Sequence, residues 1–235
     1  MTSPPDDLPQ SPGRPVQAQT GRAGRLTLVT GGARSGKSLY AERLAASGRE
    51  PVLYVATAQV YPNDQEMRAR IHEHQQRRPA AWGTLEAPRD VGRALAKLPA
   101  LPGAVLPDTG LPETAGTVLT TPPGTVLLDD LGLLVTNLLL ALCGDADPTR
   151  EMARQLDAAL QSELAALAQA QAAGGWDLIV VTNEVGLGIV PATPLGRVFR
   201  DAIGRANQAL AARADAVYLI VAGIPVPIKP GPLLP

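Results

Sequence analysis

The stretch "LTLVTGGARSGKSLYAERLAA", residues 26–46, decides the fold. An apolar run at 26–30 passes into glycines and a lysine, and from there into a helical pattern spanning 37–47. Gly31 to Ser38, GGARSGKS, fits G-x-x-x-x-G-K-[ST], and a strand before with a helix after is the setting that motif requires. Glycines let the backbone turn tightly, so successive N–H groups face phosphate oxygens. The start of the helix adds the positive end of its dipole. Lys37 is placed to neutralise β/γ-phosphate charge and Ser38 to ligate Mg²⁺. The plain alternative is a glycine-rich turn holding nothing. With motif and context together, a bound nucleoside triphosphate is the expectation. The reaction stays open, because motor-type ATPases and small-molecule kinases share this cradle.

Outward from that turn, short apolar runs alternate with helical patterns. Strands are predicted at 26–30, 52–57, 125–129, 177–182 and 216–221, each apolar on both faces as in a buried parallel sheet. Helices are predicted at 37–47, 64–77, 131–142, 148–173 and 195–213. The fourth has Asp147 as its cap, Pro148 at its first position and Gly174-Gly175 at its end. Strands separated by helices imply an α/β P-loop nucleotide-binding fold, a mostly parallel, doubly wound sheet with helices on both faces.

The 235 residues, 45% hydrophobic, suffice for one such domain at 25–229 and not for two well-separated ones. Residues 1–24 read as a disordered, proline-rich tail, and 230–235 as a loose end. Residues 99–124, with six prolines, read as a long surface loop or insertion. A net charge of −1 gives no footprint for nucleic acid. The lone Cys143 excludes an intramolecular disulfide and fits a reducing compartment. No run approaches the roughly 18 apolar residues of a membrane span. The first residues also lack a signal peptide's apolar stretch, so a cytoplasmic location is expected.

Further candidates lie beyond the cradle. Asp129, at a strand's C-terminal end, can hold Mg²⁺ through water or bind substrate, while Asp130 can cap the next helix; both can equally be capping or solvated. Over 64–77, Met67, Ile71 and His74 share one helical face, bordered by Arg70. His72 falls with Arg68 and Gln76 on the polar side. His74 is therefore expected to turn inward and His72 to face water. A histidine on an apolar face is more often a satisfied core group than a catalyst. Even so, a neutral imidazole, with an unperturbed pKa of about 6.5, is a competent nucleophile. Arg77 and Arg78 either bind nucleotide phosphates or form a solvated helix end.

Several motifs together carry a family resemblance: VTGGARSGKSLYAE, VLYVATAQ, EMRARIHEHQQRRPAAWGTLEAP, LLDDLGLLVTNLL and the long run beginning VVTNEVGLGIVP. From about Leu26 to Lys229 the chain resembles the bifunctional adenosylcobinamide kinases / adenosylcobinamide-phosphate guanylyltransferases of cobalamin biosynthesis. The resemblance implies two reactions. One phosphorylates the aminopropanol hydroxyl of adenosylcobinamide, with ATP or GTP as donor. The other moves GMP from GTP onto a histidine and then onto adenosylcobinamide phosphate, giving adenosylcobinamide-GDP and pyrophosphate. The family's guanylylated histidine lies four residues after the arginine of "RI" and four before that of "RP", which places it at His74. Its nucleotide contacts carry over to Gly31, Gly32, Ala33, Arg34, Ser35, Gly36, Lys37 and Ser38, to Ala56, Thr57 and Ala58, and to Gln75, Gln76, Arg77 and Arg78. Glu86 and Asp129 match its two acidic nucleotide-binding positions. Mg²⁺ with GTP or ATP as cofactors and a homotrimeric assembly are likewise implied.

The chain departs from the pattern in its tail, in most of 99–124, and at Gly132, where the family often has threonine. For Asn183, Glu184 and Gly186 a packing role and a substrate or subunit contact stay open. Two other functions compete: a P-loop kinase of another small molecule with a structural histidine, and a nucleotide-dependent binding module. A chain keeping one of the two activities is a third possibility.

Overall fold

Runs that are apolar on both faces become strands here because each is covered on both sides and has no polar face to present. The computed structural model describes residues 24–59, 65, 68–69, 71–72, 76, 78–98, 121–144 and 146–229. In chain order the elements are β1 (Leu26–Gly31), α1 (Lys37–Ala46), β2 (Val52–Ala56), β3 (Gly83–Glu86), α2 (Val91–Leu95), β4 (Thr125–Asp129), α3 (Leu131–Cys143), α4 (Arg150–Gly174), β5 (Asp177–Val181), α5 (Pro194–Arg213), β6 (Ala216–Val221) and β7 (Ile224–Lys229). Between α1 and β3, residues 65, 68, 69, 71, 72 and 76 are helical. Among the described residues the sheet has seven strands in the order β3-β2-β4-β5-β1-β6-β7. Every neighbouring pair is parallel except β6 with β7.

The two sheet faces bury different partners. Leu28, Leu53, Leu128, Leu178 and Val217 pack with α2 to α5, among them Leu131, Leu134, Leu156, Leu167, Ile203 and Leu210. On the other face Val29, Tyr54, Leu127, Ile179 and Tyr218 pack with Ala41 and Ala45 of α1. The expected helices on both faces are present.

Two expectations need correcting. Asp147 does not cap α4, and Pro148 is not in its first turn. The helix starts at Arg150, and the Thr149 hydroxyl accepts from the Met152 N–H at 3.2 Å. A cap must sit directly before the first helical residue to reach the orphan donors, and Asp147 lies two residues too early. At the far end Gly175, with φ 67°, closes the helix as expected. The second correction concerns elements the periodicity passes over: β3, α2 and β7. Strand β3 is only four residues long, and β7, IPVPIK, contains two prolines that cannot donate to a ladder. Prolines are tolerated in β7 because it is the outermost strand, where they also discourage further pairing.

Register brings the important strand ends together. Ala56 of β2 pairs with Glu86 of β3 on one side and with Asp129 of β4 on the other, at the C-terminal edge where α/β sheets bind ligands. Gly31 of β1 ends on the same edge, tied to the residues after β5 by the Glu184 N–H, which donates to the Gly31 carbonyl at 3.1 Å.

Candidate functional site

The loop from Gly31 to Ser38 is built from tight turns. Arg34 and Gly36 take positive φ, 56° and 92°. At Gly36 this is the region that glycine adopts at little cost. The Ser35 N–H donates to the Gly32 carbonyl at 3.3 Å, and Gly36 N-caps α1 with no side-chain bond. Gly32, Ala33 and Arg34 are exposed and form the open side of the turn. Lys37 is buried, its Nζ 3.3 Å from the Gly32 carbonyl, so the charge lies folded back over the loop. The loop's other wall is the β6–β7 turn: the Gly223 N–H donates to the Ser35 carbonyl at 2.8 Å. That anchor was invisible in the motif.

Ser38 faces Asp129. Its hydroxyl donates to Asp129 Oδ1 at 3.3 Å, while Asp129 Oδ2 accepts from the Tyr54 hydroxyl at 2.9 Å. Burial, and then the Asp129 carboxylate, push the Tyr54 phenol above its ordinary range; the Arg78 cation pulls the other way. The phenol therefore stays protonated and donates. Arg78 lies with Cζ 3.5 Å from the centroid of the Tyr54 ring, a cation–π contact, and Nη1 donates to Thr84 Oγ1 at 3.4 Å. Its Nε is buried with no hydrogen-bond partner among the described residues. Asp130 caps α3, accepting from the Leu133 N–H at 2.7 Å.

Other expected contacts fall differently. Thr57 is wholly buried; its hydroxyl donates to the Asp130 carbonyl at 2.7 Å and accepts from the Asp130 N–H at 3.0 Å. Its carbonyl accepts from Asn137 Nδ2 at 2.8 Å. The Thr57 side chain thus latches β2 to β4 and is not offered to the cradle. Ala56 and Ala58 flank it, both half-buried. Glu86 is exposed at the end of β3. Gln76 and His72 are both exposed, with Gln76 Nε2 2.8 Å from His72 Nε2, so His72 faces water as expected. His74, Gln75 and Arg77 lie outside the described residues, as do 1–23, 99–120 and 230–235. Asn183 packs over Gly132, where a side chain's Cβ would stand 2.5 Å from Asn183 Nδ2, and the Asn183 carbonyl accepts from Asn207. Glu184 turns back on its own loop, accepting from the Gly186 N–H at 2.6 Å.

The arrangement offers a tight glycine-bearing turn at the start of a helix, a lysine, and a hydroxyl facing a carboxylate. Among the described residues no three His, Cys, Asp or Glu side chains cluster to hold a metal on their own. One hydroxyl and one carboxylate are hard oxygen donors that suit Mg²⁺, which usually completes its shell with water and substrate phosphates. Fold and site together define a P-loop α/β nucleotide-binding protein.

Comparison with known proteins makes this particular. The family described as "CobU: Cobinamide kinase / cobinamide phosphate guanyltransferase" matches residues 27–111 and 110–228. The bifunctional adenosylcobalamin biosynthesis protein CobU of Salmonella typhimurium is 42% identical over 208 residues, spanning 87% of this chain and 99% of that protein. CobU of Escherichia coli is 41% identical over 204 residues, 87% and 99% of the two chains. CobP of Pseudomonas aeruginosa is 40% identical over 206 residues, 88% and 98%. The chain belongs to the cobinamide kinase / cobinamide phosphate guanyltransferase family of enzymes. A KaiC-like protein of Pyrococcus horikoshii overlays with a TM-score of 0.39 at 14% identity, over 84% of this chain and 71% of that one, too loosely to bear on function.

Proposed function

We propose that this enzyme phosphorylates the aminopropanol hydroxyl of adenosylcobinamide from ATP or GTP, and then joins GMP from GTP to the phosphate so formed, through His74. The loop from Gly31 to Ser38 binds the triphosphate, with Lys37 against its β/γ-phosphates. Ser38, with Asp129 behind it, holds Mg²⁺, which when bound neutralises phosphate charge. In the first reaction the substrate hydroxyl attacks the γ-phosphorus and the nucleoside diphosphate leaves. In the second, a His74 ring nitrogen attacks the α-phosphorus of GTP; a P–N bond forms and the bond to pyrophosphate breaks. A phosphate oxygen of adenosylcobinamide phosphate then attacks the same phosphorus, and imidazole leaves. Arg78, Gln76, Ala56, Ala58 and Glu86, together with Gln75 and Arg77, would serve as nucleotide contacts in this scheme. Thr57 contributes by holding the sheet edge.

The observation that carries the reading is the contact chain from Ser38 through Asp129 and Tyr54 to Arg78. It brings a residue only four positions past His74 to the edge of the phosphate cradle. Exposed apolar side chains on β7 (Ile224, Val226 and Ile228) support self-association, which we propose is the homotrimer that the family resemblance implies.

Incubation with GTP labelled at the α-phosphate tests the histidine step. The expected result is an acid-labile, alkali-stable protein label that is absent from His74→Ala and is chased by adenosylcobinamide phosphate into adenosylcobinamide-GDP. A preparation that phosphorylates adenosylcobinamide but takes no label overturns that step and leaves a kinase.

A further inference from the structure

Tyr54 belongs to no phosphate-binding motif, yet it touches both halves of the site. It sits in the middle of β2, paired with Leu127 of β4, and is 2% exposed. From there its hydroxyl reaches Asp129 Oδ2 at 2.9 Å, while Asp129 Oδ1 takes the hydroxyl of Ser38. Both carboxylate oxygens are thus tied, one to the sheet and one to the cradle, and the group has a single orientation. On its ring face the same tyrosine carries the Arg78 guanidinium at 3.5 Å, with Thr84 of β3 steadying one end. The buried Arg78 Nε–H that lacks a partner among the described residues leaves donor capacity for an anion.

We propose that Tyr54 is a positioning residue for both ends of the bound nucleotide: its hydroxyl aligns Asp129 toward the metal-bound triphosphate, and its ring seats Arg78 as a phosphate-binding cation. This rests on the reading that Mg²⁺ and a triphosphate occupy the cradle between Gly31 and Ser38. A carboxylate that loses the phenol's hydrogen bond is held less firmly. A guanidinium that loses the ring beneath it keeps, among the described residues, only the Thr84 contact to fix its position. The two arms are chemically separable, because phenylalanine keeps the ring and loses only the hydroxyl.

Binding of a non-hydrolysable GTP analogue to the full chain, measured at a series of Mg²⁺ concentrations and again in chelator, reads each arm apart from turnover. Outer-shell partners of metal ligands are worth about 10- to 100-fold in metal affinity, so Tyr54→Phe is expected to raise the Mg²⁺ needed for half-saturation about 10-fold. Its affinity in chelator should match wild type. Tyr54→Leu is expected to lower affinity in chelator as well, by the same factor as Arg78→Ala, with no further loss in the double variant. Thermal melts accompany each protein; the phenylalanine variant, which preserves core volume, keeps the hydroxyl arm testable should the leucine variant not fold. A wild type whose binding needs Mg²⁺, beside a Tyr54→Phe variant with an unchanged Mg²⁺ midpoint, overturns the inference alone. Additive losses in the Tyr54→Leu, Arg78→Ala double variant overturn the ring arm. A wild type that binds the analogue equally well with and without Mg²⁺ overturns the reading of the site, and this inference with it.

Discussion

Lys37 shows what a single residue contributes here. Its Nζ donates to the Gly32 carbonyl of the turn, and the side chain is buried. Lys37→Ala is expected to cut phosphoryl transfer by about 100-fold, the scale on which one charge-stabilising donor acts. A kinase assay checks this, with a thermal melt beside it to show that the variant is folded. Glu163 is different, since its role is in the fold. Its Oε1 accepts from the Gly92 N–H at 2.9 Å, supplying the start of α2, whose own Asp90 makes no side-chain cap. Burial, with Asp90 nearby, raises its pKa above the ordinary glutamate value of 4.5, although the Gly92 and Val91 N–H groups and Arg93 oppose the shift. A raised carboxyl pKa means that the folded state binds the proton more tightly than the unfolded one. Stability from this group is therefore greatest in acid and is lost as pH rises from about 4.5 through the folded value. Glu163→Gln keeps the acceptor and removes the titration. Relative to wild type, it should melt progressively higher as pH is raised from 4.5 toward 8, in melts taken at constant ionic strength. Lys37, Ser38 and Asp129 could be named from sequence because local motif and strand end define them. Tyr54 could not, because its partner Asp129 is 75 residues away and nothing local distinguishes this tyrosine from core filling.

At the scale of elements, caps and close approaches decide what periodicity leaves loose. Thr149→Ala is expected to cost about 1 kcal/mol in denaturant unfolding, and Asp147→Ala very little, because only Thr149 reaches the orphan Met152 N–H. Equal losses in both would return the cap to Asp147. Gly92 is a sterner case. A Cβ there would meet the backbone of Leu167 and Ala166 of α4, so Gly92→Ala should destabilise by about 1–3 kcal/mol through overpacking. Five buried strands and the helices between them were legible because each carries its pattern in its own residues. Strand β3, helix α2 and strand β7 were not. They are short or proline-bearing, and they exist because neighbours hold them: β2 beside β3, Glu163 over α2, β6 beside β7. The second helical region gave its polar side correctly at His72 and Gln76.

Across the whole molecule, β7 is an apolar surface that the fold leaves uncovered among the described residues. Ile224, Val226 and Ile228 stand two residues apart on one row, 65%, 45% and 60% exposed. The alternation that should bury one face of an edge strand buries neither, and contiguous apolar surface of this kind marks association. The same hairpin holds the phosphate cradle, since Gly223 in its turn donates to Ser35. Covering β7 with another copy would therefore steady the hairpin and, through Gly223, the loop that grips phosphate. If the proposed trimer forms there, wild type sediments as a trimer at micromolar concentration and Val226→Lys shifts toward monomer. The variant should keep its fold, because the side chain points outward and the ladder is made by backbone. It should also bind nucleotide more weakly, although Val226, three residues past the Gly223 anchor, pairs with Leu219 of β6. A monomeric wild type would refute the assembly. A trimeric Val226→Lys would move the interface elsewhere. A monomeric variant with unchanged nucleotide affinity would show that the Gly223 anchor is already rigid in the single chain.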